Sequence, residues 1–123
     1  AGMPADKMPT RLMKGSAGPL SNEATLLAVI NPALIELLGD GKVIDAFPTV
    51  MGSEDFQEAF ADTGTPYSFV LIGIAPLDMA AAAKKAGRQF PFGNHNPTFI
   101  VALDAIPLGA RINTVSVLAL LKK

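Results

Sequence analysis

The stretch PYSFVLIGIA, residues 66–75, most restricts how this chain can fold. It is an almost continuous apolar run that begins at Pro66 and is followed by Pro76. Such a run between two chain-breaking residues is typical of a β-strand that is buried on both of its faces. We therefore expect residues 66–75 to form a central strand.

The segments around this run alternate between strand and helix patterns. Residues 10–14 are predicted to be an edge strand before a linker, and KVIDAFP, residues 42–48, a short strand. The capping-box spacing of Asp55 and Glu58 predicts a short helix that ends near Gly64. The alanine-rich segment after Pro76 predicts a further helical turn or two. This order favours an α/β fold in which helices pack on a small sheet.

Two further segments have the apolar spacing of longer helices. The first is predicted to begin after Ser21 or Asn22, to end at Gly39, and to be kinked or divided into two short helices at Pro32. Its apolar residues are Leu27, Ile30, Leu34, Leu37 and Leu38. The second has Asp104 as its candidate cap and is expected to be the longest helix. Its apolar face comprises Leu108, Ile112, Val115, Leu118 and Leu121.

Composition limits the classes of partner. The chain has 123 residues, a formal net charge of -1 and no cysteine, which fits one small domain or a piece of a larger one in a reducing, cytoplasmic compartment. Its basic residues are scattered and no signal peptide or membrane span is visible, so we expect neither nucleic acid nor a membrane as a partner. Half of the residues are hydrophobic and only 17% are charged, against about a quarter in ordinary domains. This apolar excess predicts a homo-oligomer, such as a dimer, or a fragment of a larger core.

The loop FPFGNHNPTF, residues 90–99, contains His95, the only histidine of the chain. An isolated loop histidine is most often solvated or hydrogen-bonded locally. A self-contained zinc site needs three or four ligands, and the sequence offers no second histidine and no cysteine at a suitable spacing. Taken alone, His95 leaves a metal-binding role open without favouring it.

The turn MGSEDF, residues 51–56, permits two interpretations. In the first it is a helix N-terminus, where Gly52 allows a tight turn and Ser53, Glu54 and Asp55 favour the unpaired amides and the positive end of the dipole. In the second, the same amides bind an anionic or carbonyl oxygen of a ligand. Local chemistry favours the first interpretation.

Taken together and in order, these motifs resemble the C-terminal part of a metallopeptidase family. MGSEDF, the strand pattern TPYSFVLIG, the loop NHNPTF and the helix pattern LDAIPLGARI are similar to the amidohydrolase branch of the dinuclear-metal aminoacylase and carboxypeptidase family. That branch includes hippurate hydrolases and indole-acetyl-amino-acid hydrolases. The resemblance covers residues 20–123. It implies that residues 1–20 are a remnant of the last strand of a lid, or dimerisation, domain plus a linker, and that residues 21–123 are the C-terminal part of the catalytic α/β domain.

The resemblance also implies roles for individual residues. His95 would be the last metal ligand of the family, on a loop stiffened by Asn96 and Pro97. The substrate pocket would be shaped in part by Gly52, Ser53, Glu54 and Asp55. In the complete enzyme two divalent metal ions, zinc, manganese or cobalt, would activate a water and polarise the amide carbonyl of an N-acyl amino acid or small peptide.

The sequence departs from the family in its remaining metal ligands. It has no His-x-Asp motif, no Glu-Glu pair, no bridging cysteine and no second histidine. We therefore expect a C-terminal fragment that lacks the N-terminal half of the hydrolase, is inactive alone and binds no metal by itself. The alternative is a non-catalytic α/β interaction domain that self-associates, with His95 as an ordinary loop residue. A metal shared by His95 residues of neighbouring chains is a third option.

Overall fold

The computed structural model describes residues 2–15, 17–52 and 54–122. These residues form three α-helices, α1 (Ala24–Leu38), α2 (Leu77–Lys85) and α3 (Ala105–Leu121). Two short 3-10 turns lie at Ala5–Lys7 and Phe56–Ala59. The rest of the described chain consists of turns and irregular backbone and contains no strand. The predicted α/β fold with a small sheet is therefore wrong, and the fold is helical.

The apolar run 66–75 is not a strand, because no strand within the described residues pairs with it. Its backbone is joined to other segments by a hydrogen bond from the Glu23 N–H to the Tyr67 carbonyl, 3.1 Å, and by one from the Ala102 N–H to the Ile74 carbonyl, 2.8 Å. These two bonds come from distant parts of the chain and form no ladder, which a sheet requires. The other two predicted strands, residues 10–14 and 42–48, are also irregular.

Helix α1 is one helix of 15 residues that contains Pro32, so the predicted alternative of two short helices is wrong. A proline inside a helix removes one backbone hydrogen bond, and the burial of Ile30 and Leu34 on either side of Pro32 offsets that loss. Gly39 ends the helix as predicted, with φ 91°.

Asn22 does not cap α1, because the residue at the cap position is Glu23, which makes no capping hydrogen bond through its side chain. The Asn22 side chain pairs instead with the backbone of Phe69. Its Nδ2 donates to the Phe69 carbonyl at 3.0 Å, and the Phe69 N–H donates to its Oδ1 at 2.6 Å. This pairing fastens the start of α1 to the apolar run.

The core lies between α1 and α3. Ile30, Leu34 and Ile112 are buried and touch one another. The partly buried residues packed around them are Leu26, Leu37, Leu38, Val43, Ile72, Leu108 and Val115. Most of the two predicted apolar faces is thus confirmed, and α3 is the longest helix, as predicted. Leu27, Leu118 and Leu121 are the exceptions. Leu27 does not belong to this core, and the part of α3 that joins it ends at Val115, which leaves Leu118 and Leu121 54% and 70% exposed.

Much of the apolar surface is uncovered in this fold. The accessible area is 10206 Å², whereas a folded monomer of this mass has roughly 6,300 Å². Leu71, Leu77 and Leu103 are among the large apolar side chains that are at least 60% exposed. The chain buries only a small core by itself. Within the described residues, no helix is both long enough and apolar enough to cross a membrane.

Helix α2 ends in a turn that requires glycine. Gly87 has φ 69°, its N–H donates to the Lys84 carbonyl at 3.0 Å, and the Arg88 N–H donates to the Ala83 carbonyl at 2.9 Å. This is the Schellman arrangement, whose left-handed residue is normally glycine.

We expect Gly87→Ala to lower the free energy of unfolding by about 1–2 kcal/mol, because a Cβ is strained in the left-handed region. Urea unfolding followed by circular dichroism measures this change. Gly73→Ala is the matched control, since an added Cβ there meets open space and Gly73 does not have a positive φ. Equal losses in the two variants would contradict the assignment.

Candidate functional site

The His95 loop is built from two consecutive turns. The Asn96 N–H donates to the Gly93 carbonyl at 3.2 Å, and the Phe99 N–H donates to the Asn96 carbonyl at 2.9 Å. His95 lies in the first turn with its side chain exposed. Its imidazole makes no hydrogen bond within the described chain. The two turns therefore present a free imidazole at the surface.

Side chains restrain the second half of this loop. The Asn96 Oδ1 accepts hydrogen bonds from the Thr98 N–H at 2.9 Å and from the Thr98 Oγ1 at 2.6 Å. Pro97, between them, has a fixed φ that suits the second position of a turn. The rings of Phe92 and Phe99 meet edge to face at 5.3 Å where the loop closes. Together these contacts limit the backbone freedom next to His95.

We expect Asn96→Ala to loosen the loop, because it removes both hydrogen bonds to Thr98. The loss of free energy of unfolding should be about 1 kcal/mol. The NMR order parameter of the Thr98 amide should fall toward about 0.6, the value of flexible backbone. Asn94→Ala is the control, because Asn94 is an exposed residue of the same loop. A Thr98 amide that is equally rigid in both variants would show that Asn96 does not restrain the loop.

The described residues of the segment 51–56 have a different local structure from the predicted helix N-terminus. Glu54 is the residue that binds the unpaired amides, since its Oε1 accepts from the Asp55 N–H at 2.9 Å and the Phe56 N–H at 3.2 Å. Asp55 makes no capping hydrogen bond, and the predicted helix is only the 3-10 turn Phe56–Ala59 followed by turns that reach Gly64. The predicted capping box is therefore wrong. Gly52, Glu54 and Asp55 are exposed, and Ser53 lies outside the described residues.

Glu58, the second residue of the predicted capping box, binds a distant segment. Its Oε1 accepts from the Gly18 N–H at 2.8 Å, and the neighbouring Gln57 donates from Nε2 to the Gly18 carbonyl at 2.8 Å. Gln57 is buried. The side chains of Gln57 and Glu58 thus bind both the carbonyl and the N–H of Gly18. The sequence gives no local signal for this contact, because the partners are about 40 positions apart.

Four aromatic side chains pack together behind this contact. The ring of Phe56 lies 5.2 Å from those of Phe60 and Phe69 and 5.8 Å from that of Tyr67, between centroids. The Phe60 and Tyr67 rings are stacked at 5.5 Å. Phe56 and Phe60 thus contact each other, and the apolar run 66–75 supplies their aromatic partners, Tyr67 and Phe69.

The two parts of the predicted site, the His95 loop and residues 52–55, are not joined within the described chain. No hydrogen bond or aromatic contact among the described residues joins the His95 loop to the 52–55 turn. Nor does that part of the chain contain a group of three or more histidine, cysteine, aspartate or glutamate side chains able to hold a metal ion. His95 is therefore not a member of such a group within the described residues.

Comparison of the chain with protein-family models, with curated proteins and with solved structures finds no significant match.

Proposed function

We propose that this chain is the C-terminal segment of a dinuclear-metal amidohydrolase that cleaves the amide bond of N-acyl or N-aroyl amino acids or small peptides. The observation that carries the proposal is the exposed His95 imidazole, which has no hydrogen-bond partner among the described residues, on a loop restrained by Asn96. An imidazole in this state is available to a metal ion, and the hydrogen bonds of Asn96 restrain the backbone that carries it. The order of the motifs around it supports the same family, and the parent enzyme would be cytoplasmic and dimeric.

The residues present fit one ligand position. His95 would bind one of two divalent ions, zinc, manganese or cobalt, and the other ligands and the general base would come from the N-terminal half. When bound, such ions lower the pKa of a water and polarise an amide carbonyl. Within this chain, Gly52 and Asp55 are exposed and would contact substrate. Glu54 would shape the pocket by holding its own turn through two hydrogen bonds.

The uncovered apolar surface supports a partner for this chain. Ile106 and Leu118 of α3 are 63% and 54% exposed, and the total accessible area is 10206 Å², far above the usual area for this mass. In our proposal the N-terminal half of the hydrolase covers such residues. The same surface favours a second candidate function, a non-catalytic domain that associates with copies of itself.

The test compares the 123-residue chain with the product of the complete reading frame that encodes it. We expect His-x-Asp and Glu-Glu motifs upstream, divalent metal by mass spectrometry, and hydrolysis of N-benzoylglycine by the complete product with added zinc or manganese. The 123-residue chain alone should show neither turnover nor stoichiometric metal. Turnover by the short chain would overturn the fragment hypothesis. A complete product without those motifs that dimerises and hydrolyses nothing would favour the second candidate.

A further inference from the structure

An open groove of about 460 Å³ lies beside the aromatic cluster. Three segments contribute to its sides: four residues between 18 and 23, four between 57 and 61, and residues 64–67. This volume is within the range of about 300–1,000 Å³ that small-molecule sites occupy. The groove contains neither His95 nor the 52–55 turn, so it is separate from the site described above.

The lining of the groove combines aromatic rings with negative charge. Phe60 and Tyr67 are stacked with their centroids 5.5 Å apart and form an apolar wall. Glu23 and Glu58 are the charged residues of the lining, and no lysine, arginine or histidine lines it in the described part of the chain. Such a lining attracts cations and repels anions.

The two carboxylates interact only with neutral groups among the described residues. The Glu58 Oε1 accepts from the Gly18 N–H at 2.8 Å, and the Glu23 Oε1 accepts from the Thr25 Oγ1 at 3.3 Å. Their negative charges are thus not neutralised by a basic side chain of the described fold. Both residues are exposed, so a dissolved ion reaches them.

We propose that this groove binds a small molecule with a methylated ammonium group. The carboxylates of Glu23 and Glu58 supply the attraction for the positive charge, and the rings of Phe60 and Tyr67 supply a surface for the weakly hydrated methyl groups. A hard metal ion fits less well, because it takes six or more oxygen ligands and gains nothing from an aromatic wall. This inference does not depend on the proposed hydrolase.

Tyr67 provides the signal for a direct test, because it is the only tyrosine and the chain has no tryptophan. Titration of the 123-residue chain with tetramethylammonium chloride should give a saturable change in tyrosine fluorescence. Sodium chloride at the same ionic strength should give none. Glu58→Gln should weaken the binding about fivefold, the effect of losing one modest charge contact. Glu36→Gln is the matched control, since Glu36 is an exposed residue of α1 outside the groove.

Two further measurements keep the test decisive. Glu23→Gln should also weaken binding, and this variant keeps the Glu58 contact with Gly18. It therefore replaces Glu58→Gln as the test if circular dichroism shows that Glu58→Gln alters the fold. tert-Butanol, a neutral molecule of similar shape, should not give the saturable change. The proposal is overturned if tetramethylammonium gives no saturable response, if tert-butanol reproduces it, or if Glu23→Gln in a folded chain binds as tightly as the unchanged protein.

Discussion

Leu34→Ala is expected to abolish the cooperative unfolding transition of this chain. Leu34 is 4% exposed and is one of the three buried residues that join α1 to α3. A buried leucine truncated to alanine costs about 2–5 kcal/mol. Domains of this size are stable by only about 5–15 kcal/mol, and a small core places this one near the lower end. Little cooperative structure should remain.

Urea titration followed by circular dichroism measures this loss. Leu121→Ala is the matched control, because Leu121 is 70% exposed on α3 and lies outside the core. It should unfold with nearly the same midpoint as the unchanged chain. If Leu34→Ala kept that midpoint as well, the contact between α1 and α3 would not be what holds the fold together.

His95→Ala should reduce hydrolysis by the complete enzyme at least a hundredfold. Loss of a partner that only orients a ligand already costs about 10–100-fold in metal affinity or activity, so loss of the ligand itself should cost more. The fold should be unaffected, because His95 is exposed and its imidazole makes no hydrogen bond within the described chain. The expected signature is therefore reduced metal content and reduced turnover with unchanged circular dichroism.

Asn94→Ala, one position earlier on the same exposed loop, is the control and should retain both metal and activity. Full activity of His95→Ala would remove His95 from the metal site and, with it, the observation on which the proposed function rests. Loss of activity in both variants would point to the loop as a whole instead of the imidazole.

The helices could be predicted because the signals that specify them are local. The spacing of Ile30 and Leu34 and the stop at Gly39 lie within a few turns of sequence in α1. The apolar face around Ile112 is equally local to α3. The irregular structure of the three predicted strand segments could not be foreseen in the same way, because a segment becomes a strand only when another strand pairs with it. The run 66–75 has the composition of a buried strand but receives scattered hydrogen bonds from residues such as Glu23 and Ala102.

The same distinction applies to the candidate site. The turns around His95 and Asn96 follow from neighbouring residues, so the loop could be expected from the asparagines, the proline and the glycine near it. The groove beside the aromatic cluster could not be expected from the sequence, because its walls come from three segments that only the fold brings together. The contact between Glu58 and Gly18 is likewise invisible in the sequence. The spacing of Glu58 to Asp55 predicts a helix cap, whereas the residue that Glu58 binds lies 40 positions away.

The attachment of Gly18 to Gln57 and Glu58 also determines how the molecule can open. It closes a loop of about 40 residues that contains all of α1, and side chains rather than backbone ladders close it. Such a closure acts as a weak, reversible crosslink between the ends of that loop. The Gly18 amide is part of this closure, because its N–H donates to Glu58, so the exchange of that amide proton reports how often the crosslink breaks.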